Sequence, residues 1–205
     1  MSKVSAYLSR HSFLTIIGTV FSVFRTRLFY RRASLIRFPI DLRGKSHIVF
    51  GRGLTTGRYC RIEAYPQNKS SDACVIIGEN VQINDFVHVT GVMRVSIGNH
   101  VLIASRVFIS DSNHGRYGGN GEQSHPDSPP ASRPIVADPV TVEDNVWLGE
   151  NVSVLAGVTI GKGSIIGTSS VVTKSIPPFS IAVGAPARVV KTFDFKRNKW
   201  VPRKK

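Results

Sequence analysis

Residues 146–174 read VWLGENVSVLAGVTIGKGSIIGTSSVVTK, and an aliphatic side chain returns in this stretch at every sixth position. The ladder begins just before this stretch, at Val142, and continues at Leu148, Val154, Ile160, Ile166 and Val172. A helix repeats every 3.6 residues and a half-buried strand every two, so neither produces six hits at a spacing of six. A parallel β-helix does, because three six-residue faces make one triangular coil and the aliphatic residues stack inward. The stretch therefore predicts an all-β fold of this kind.

The same spacing of six extends towards the N-terminus. The earlier positions are Ile77, Ile83, Val89, Ile97, Ile103 and Ile109, with fainter traces at Phe50, Thr56 and Ile62. A slip of two residues separates Val89 from Ile97. From Ile77 to Ile176 the repeat predicts about five coils, preceded by partial ones.

The repeat breaks once on a large scale, between Ile109 and Val140. The intervening sequence SDSNHGRYGGNGEQSHPDSPPASRPIVADP is rich in Gly, Pro, Ser and Asn, which predicts an inserted loop over about residues 111–139. Long loops on a regular scaffold commonly carry function. Four polar residues lie close together where this loop begins and form a candidate polar site: Asp111, Asn113, His114 and Arg116.

The net charge of +14 in 205 residues is concentrated at the two ends of the chain. Residues 1–37 carry seven basic and no acidic residues, and residues 188–205 carry eight basic residues and one acidic residue. Residues 38–187 carry twelve of each, so the body of the chain is neutral. This distribution argues against a uniformly basic nucleic-acid-binding fold, and we expect no nucleic-acid partner.

The N-terminal segment contains the apolar run FLTIIGTVFSVF at residues 13–24. A membrane-spanning helix needs about 20 apolar residues, and the RTRLFYRR that follows is unlike a signal-peptide cleavage site. We therefore predict a helix that either docks on the body or lies at a membrane surface. The arginine cluster beside it suits anionic headgroups or phosphates; its members are Arg25, Arg27, Arg31, Arg32 and Arg37.

The two cysteines, Cys60 and Cys74, cannot form a disulfide framework and have no metal-binding CxxC spacing. They are typical of buried, reduced thiols in a cytosolic protein. The predicted location is cytoplasmic, with peripheral contact at the inner face of the membrane as an open addition.

The segments IGENVQIND, IGNHVLIAS and the 146–174 run, followed by AVGAPARVVK, resemble the hexapeptide-repeat proteins. More narrowly, the chain is similar to the maltose, galactoside and polysaccharide O-acetyltransferases over about residues 45–191. This resemblance implies a left-handed parallel β-helix, acetyl-coenzyme A as co-substrate, no metal, and a homotrimer with active sites between subunits. The expected organisation is a basic N-terminal helical segment (1–44), the β-helix domain (45–178) and a coenzyme-binding C-terminal extension with a basic tail (179–205).

The resemblance also assigns roles to individual residues. In the family, a histidine just past an I-A-x-x-V-x-x-S stretch is the catalytic base. The match here is IASRVFISDSNH, whose last residue is His114, which implies this role for His114. Transfer of an acyl group from a thioester to a hydroxyl needs that hydroxyl proton removed, and imidazole suits the task. Asp111 or a backbone carbonyl could fix the tautomer of the base. For the acceptor, Asn84, Asp85 and Asp111 are the candidate binding residues, although Asn84 could instead be a corner residue that tolerates left-handed backbone.

The coenzyme residues follow from the same resemblance. Trp147 corresponds to a tryptophan near the pantetheine groove, and the backbone N–H of Glu150 to the group that contacts the thioester carbonyl. The further coenzyme positions are Thr168, Thr173, Lys174, Arg188 and Lys191, of which the last two would meet phosphates.

These observations predict an acetyl-coenzyme A-dependent O-acetyltransferase that acts on a sugar hydroxyl in a surface polysaccharide, such as an O-antigen or capsule unit. The nearest alternative is a small acceptor: a free sugar, serine or an antibiotic. A zinc enzyme like the β-helical carbonic anhydrases, with His88, His114 and His125 as ligands, is a further alternative. A β-helix that serves only as a scaffold is the last.

Overall fold

A computed structural model describes residues 12–67 and 72–203 of the chain. The start of the predicted N-terminal segment (residues 1–11) and the last two lysines of the basic tail lie outside the described residues. Within these ranges, one helix, α1 (Phe13–Phe29), precedes a body built of short strands. Two short 3-10 turns, Lys45–His47 and Pro130–Ser132, complete the regular structure of the described ranges.

The strands form three large sheets and one small ribbon. Sheet A contains β1 (Leu35–Ile36), β4 (Thr55–Thr56), β7 (Gln82–Ile83), β10 (Leu102–Ile103), β15 (Trp147–Leu148), β18 (Ile165–Ile166), β20 (Ser180–Val183), β21 (Arg188–Asp194) and β22 (Lys199–Pro202). Sheet B contains β2 (Ile40–Arg43), β5 (Cys60–Ala64), β8 (His88–Gly91), β11 (Phe108–Ser110), β16 (Ser153–Val154) and β19 (Val171–Val172). Sheet C contains β3 (Ile48–Phe50), β6 (Val75–Ile77), β9 (Val95–Ile97), β14 (Val140–Val142) and β17 (Thr159–Ile160). The ribbon pairs β12 (Ser112–His114) with β13 (Ile135–Ala137).

Consecutive strands belong to sheets A, B and C in turn, and the pairs within each sheet are parallel up to β20. The prediction of a mostly β fold with parallel sheets behind an N-terminal helix is therefore confirmed. We call the line of turns that leads from sheet A to sheet B the A–B edge, and the corresponding line from sheet B to sheet C the B–C edge. Only the last two strands of sheet A, β21 and β22, run antiparallel to their neighbours.

The six-residue ladder falls into one register column in each sheet. In sheet B the column runs through Ile62, Val89, Ile109, Val154 and Val172. In sheet A it runs through Thr56, Ile83, Ile103, Leu148 and Ile166. These side chains are 2% exposed or less, so the columns are the core of the protein. Stacking of equivalent positions from strand to parallel strand accounts for the period of six.

The interruptions of the repeat all fall on the B–C edge. The chain between β5 and β6, the turn between β8 and β9, and the segment between β11 and β14 each exceed the length that a plain corner needs. The slip between Val89 and Ile97 is the second of these, because the turn at residues 92–94 adds two residues to the coil. The sheets stay in register because extra chain at a corner leaves the strands themselves undisturbed.

Helix α1 docks on the body along the A–B edge. Ser12 caps its N-terminus by accepting a hydrogen bond from the backbone N–H of Thr15. Thr26, which is 1% exposed, accepts a hydrogen bond of 2.8 Å from the backbone N–H of Ile36 in β1. The structure shows α1 docked on the body, which is one of the two placements that the sequence predicted. The described residues contain no helix with the length and apolar character needed to cross a membrane.

Candidate active site

His114 ends strand β12, where the ribbon leaves the B–C edge. Its backbone pairs with Ile135 of β13, while its side chain is exposed. No described residue donates to or accepts from either nitrogen of its ring. The imidazole is therefore carried on a hydrogen-bonded ribbon with both nitrogens available for a substrate.

The loop after His114 is held by Tyr117 and Arg133. The Tyr117 hydroxyl donates to the carbonyl oxygen of His114, and the Arg133 guanidinium donates to that hydroxyl at 2.7 Å. Arg133 also donates to the carbonyl oxygens of Ser128 and Pro126, at 2.7 and 2.9 Å from Nη2. These bonds tie both ends of the loop to the residue that carries the imidazole. Sequence analysis missed both residues, since the hydrogen bonds depend on the path of the loop.

Asp111 is fully buried and its carboxylate is occupied by backbone groups. Oδ2 accepts from the N–H groups of Met93 and Arg94 at 2.7 Å each, and Oδ1 accepts from the N–H of Val92 at 2.9 Å. Asp111 therefore holds the turn at residues 92–94 against the start of the ribbon. The structure places no bond between Asp111 and the imidazole of His114, and its predicted role towards substrate stays a prediction.

Asn84 and Asp85 lie on the A–B edge and share a cavity of about 490 Å³ with helix α1. The other lining residues are Thr15, Thr19, Arg37, Gly57, Arg58, Gln82 and Ser105. Asp85 Oδ1 accepts from the backbone N–H of Arg58 at 2.7 Å, and Arg37 donates to the carbonyl oxygen of Thr56 at 3.1 Å. The cavity thus combines two amides, a carboxylate and two guanidinium groups, which suits a polar acceptor with several hydroxyls.

The backbone at Asn84 argues against a role as a left-handed corner residue. The residue at this corner with positive φ is Phe86, at 60°. The side chain of Asn84 is half-buried and lines the cavity. Arg37 was predicted only as a member of the arginine cluster. Its place in this cavity depends on the docking of α1 and could not be predicted from the sequence.

Several predicted coenzyme residues share the outer face of sheet A. Trp147, Ile165, Ile181 and Lys191 occupy one register row across four neighbouring strands. Trp147 is 47% exposed, and at about 4.8 Å per strand the row is about 14 Å long. Arg188 lies on the same strand as Lys191 and is exposed. The row offers an apolar strip with a cationic end.

Glu150 and Thr168 lie on the A–B edge, in the turns that follow β15 and β18. The Glu150 side chain forms an ion pair of 2.6 Å with Arg106. The backbone N–H of Glu150 donates to no described residue and so is free to donate to a ligand. Thr173 and Lys174 instead follow β19, at the B–C edge, and both are exposed.

Apart from those on sheet A, the predicted site residues divide between two edges of the chain. The A–B edge carries Asn84, Asp85, Glu150 and Thr168, and the B–C edge carries Asp111, His114, Thr173 and Lys174. Sheet B separates the two edges. One copy of the chain thus carries Asn84 and His114 on different edges.

Comparison with known proteins identifies the family of the chain. Residues 139–174 match the family described as "Bacterial transferase hexapeptide (six repeats)". The chain is 38% identical over 191 residues to WbbJ of Escherichia coli, a protein named for lipopolysaccharide biosynthesis O-acetyl transfer, and the match covers 93% of this chain and 95% of WbbJ. It is 32% identical over 156 residues to the galactoside O-acetyltransferase of Escherichia coli, which covers 75% of this chain and 70% of the relative.

The chain belongs to the hexapeptide-repeat O-acetyltransferases. The predictions of family and of an acyltransferase activity are thereby confirmed. The fold agrees with that of AntD, an N-acyltransferase from Bacillus cereus, with a TM-score of 0.64 at 21% identity over 80% of this chain and 82% of AntD. The AntD crystal structure holds dTDP-4-amino-4,6-dideoxyglucose and coenzyme A.

The geometry of this hexapeptide-repeat O-acetyltransferase also bears on the zinc alternative. Within the described residues, no three or more His, Cys, Asp or Glu side chains are grouped as a metal site. His88 lies on sheet B with Nε2 3.0 Å from Oε2 of the buried Glu63. His125 lies on the loop, 3.5 Å from Asp127.

The pKa of Glu63 reflects its contacts with His88 and Arg61. Burial alone would raise this pKa, but hydrogen bonding from His88 and the charge of Arg61 outweigh the effect of burial, so the pKa of Glu63 is lowered.

The two cysteines do not offer a nucleophile to the site, although the Cys60 thiol donates to the carbonyl oxygen of Asn84 at 3.0 Å. Both are free and buried. Burial raises the pKa of the Cys60 thiol to about 11 and also raises the pKa of Cys74. Both are therefore protonated and unreactive near neutral pH.

Proposed function

We propose that this enzyme transfers an acetyl group from acetyl-coenzyme A to a sugar hydroxyl within a unit of a surface polysaccharide. The observation that carries this function is the similarity to WbbJ, which covers 93% of this chain and 95% of WbbJ. The galactoside O-acetyltransferase and the sugar-nucleotide and coenzyme complexes of AntD support a saccharide acceptor and a coenzyme A thioester donor.

The finer description of the fold is part of the proposal. The passage of the chain through sheets A, B and C in turn supports a left-handed parallel β-helix over residues 45–178. The coenzyme-binding extension would be residues 179–205. Residues 1–44 would form the N-terminal segment, which contributes β1 and β2 to the sheets as well as helix α1.

His114 is the proposed general base. Its imidazole takes the proton of the sugar hydroxyl while the hydroxyl oxygen bonds to the carbonyl carbon of the thioester. The carbon–sulfur bond then breaks, and the coenzyme leaves as a thiolate that takes the proton back from the imidazolium. The exposure of the ring and the absence of a described partner for its nitrogens support this role. The hydrogen bonds of Tyr117 and Arg133 would position it.

The acceptor would lie in the cavity of Asn84 and Asp85, with Arg37 and Arg58 as further donors. For the donor, the row from Trp147 to Lys191 suits an apolar pantetheine arm that ends in phosphates. The free N–H of Glu150 would stabilise the oxyanion of the tetrahedral intermediate. The remaining proposed coenzyme contacts are Thr168, Thr173, Lys174 and Arg188.

A homotrimer would join the two halves of the site. If three copies surround an axis, the A–B edge of one copy can face the B–C edge of the next, so that Asn84 and His114 meet across a subunit boundary. The separation of these residues to opposite sides of sheet B supports this arrangement.

The activity is tested by release of free coenzyme A with sugar-nucleotide, lipid-linked and small acceptors. His114→Ala should lower kcat by about 10²–10⁴-fold, the usual contribution of a general base. His125→Ala is the matched control, because it removes an exposed histidine from the same loop and should leave turnover unchanged. Undiminished turnover of His114→Ala would refute the mechanism. Turnover with antibiotics alone would refute the polysaccharide acceptor.

Mixing of two inactive variants tests the shared site. Trimers assembled from equal amounts of His114→Ala and Asn84→Ala contain sites in which the intact His114 edge meets the intact Asn84 edge. Random assembly makes about a quarter of all sites intact, so the mixture should regain up to about a quarter of the wild-type rate. No recovery in verified mixed trimers would mean that both residues act from the same copy.

A further inference from the structure

Helix α1 contacts the body through its polar side. Ser22 and Thr26 are each 1% exposed, and the Ser22 hydroxyl accepts from the backbone N–H of Phe38 at 3.2 Å. The helix approaches the A–B edge so closely that a Cβ added at Gly18 would lie 2.8 Å from the Arg58 guanidinium. Towards its N-terminus, Thr15 lines the acceptor cavity. A surface helix normally buries its apolar side, so α1 is docked the opposite way round.

The apolar side of α1 therefore faces outward. Seven large apolar side chains at helical spacing are between 50% and 79% exposed: Phe13, Leu14, Ile17, Val20, Phe21, Phe24 and Leu28. We call this set the outer face of α1. Seven exposed apolar side chains along one side of a helix form a patch that indicates an interaction site on a folded protein.

Positive charge lies beside the outer face. Residues 12–40 contain no Asp or Glu, and Arg27, Arg31 and Arg32 are exposed at the C-terminal end of the helix. Arg25 packs against the rings of Tyr30 and Phe38, at 5.5 and 5.2 Å from their centroids. Because residues 38–187 carry equal numbers of acidic and basic residues, another copy of the body offers no net negative charge to complement these arginines.

We infer that the outer face of α1 binds the surface of an anionic membrane, with its apolar side chains among the acyl chains and its arginines among the headgroups. An apolar face combined with arginines and a length too short to span is typical of an interfacial helix. The inner side of the same helix lines the cavity of Asn84 and Asp85, so the membrane would lie beside the acceptor cavity. Resting on the proposed function, this geometry assigns the acceptor to the class of lipid-linked saccharides.

Co-sedimentation of the full chain with vesicles tests membrane binding. The wild type should bind vesicles of phosphatidylcholine with phosphatidylglycerol and bind pure phosphatidylcholine far less. Phe24→Asp should reduce binding by about tenfold or more, since an exposed apolar anchor is replaced by a charge. Phe195→Asp is the matched control: Phe195 is 66% exposed against 68% for Phe24, and it follows β21, at the opposite end of sheet A from β1. Arg31→Ala with Arg32→Ala should reduce binding about 30-fold, at about 1 kcal/mol per arginine.

The outcomes separate membrane binding from other uses of the outer face. Equal loss of binding in Phe24→Asp and Phe195→Asp would show a general charge effect and overturn the inference. Absence of wild-type binding, together with conversion of trimers to monomers by Phe24→Asp or Val20→Asp, would show that the outer face is a subunit contact. Vesicle binding needs no turnover, and coenzyme A release with a water-soluble sugar needs no vesicle. Failure of the membrane-binding inference and failure of the proposed acetyltransferase function are thus seen in separate measurements.

Discussion

Replacement of Asp111 by Asn tests whether this residue supports the structure or touches the substrate. The carboxylate accepts hydrogen bonds from three consecutive backbone N–H groups, those of Val92, Met93 and Arg94. The side chain is 0% exposed, so no water can replace a lost acceptor. Asn keeps the shape of the side chain but has only one acceptor oxygen, and its NH₂ group would face a backbone N–H.

The expected loss of stability follows from these bonds. At least one buried N–H loses its acceptor, which costs about 1–3 kcal/mol. The remaining bonds lose the assistance of the negative charge and become about half as strong. Together these effects predict that Asp111→Asn lowers the free energy of unfolding by about 3 kcal/mol. For a domain with about 5–15 kcal/mol in total, this is a large fraction.

Urea unfolding followed by circular dichroism measures this change. With an m-value of about 1–3 kcal/mol/M, the midpoint should fall by about 1 M or more. Asp138→Asn is the matched control, because Asp138 is exposed on the other side of the ribbon and no described residue bonds its carboxylate. An unchanged midpoint for Asp111→Asn, combined with a raised KM for the acceptor, would refute the structural role and favour contact with substrate.

Three further predictions concern the loop, the charged cluster on sheet B and the thiols. Arg133→Ala should lower kcat more than it changes KM and should speed up hydrogen exchange in the loop. The reason is that Arg133 bonds to Tyr117 and Ser128 and so holds the loop against His114, the proposed base. An unchanged kcat would contradict this positioning role. Glu63→Gln should cost about 2 kcal/mol at neutral pH. The pKa of Glu63 is lowered in the folded state from its ordinary value of 4.5. The ionised carboxylate therefore stabilises the fold above pH 4.5, and this stabilisation is lost as the pH falls below that value. Acid should consequently destabilise the wild type more than it destabilises Glu63→Gln. Cys60 should resist iodoacetamide until the protein unfolds, and rapid labelling of the native protein would show that the surroundings of this thiol open. Its pKa of about 11 in the folded state predicts that the free energy of unfolding declines as the pH rises from about 9 to 11.

The acceptor cavity shows why residue roles were harder to predict than the fold. Asn84 and Asp85 could be proposed by resemblance, but Arg58 gives no signal in the sequence. It joins the cavity because α1 crosses the A–B edge at Gly18 and encloses the space beside it. Contacts between segments far apart in the chain depend on the docking of a helix, which has no fixed spacing to read.

Helix α1 itself illustrates the same limit. Its apolar run indicates a helix that buries apolar side chains, yet the buried side chains are Ser22 and Thr26. The reason is local: the N–H groups of Ile36 and Phe38 at the start of the sheets need acceptors, and the two hydroxyls supply them. A hydrophobicity pattern cannot anticipate which unpaired backbone groups a neighbouring segment will present.

By itself, the sequence determined the three parallel sheets, their buried columns and the place of the inserted loop. It could do so because each coil repeats the same contacts, so a period of six in the chain becomes a stack in space. Only the tertiary structure decided that Asp111 holds a turn, that α1 presents its apolar side outward, and that the predicted site residues lie on two separate edges. Those features arise where one segment meets another without a repeat, and there the geometry of the contact, rather than the spacing of residues, sets the outcome.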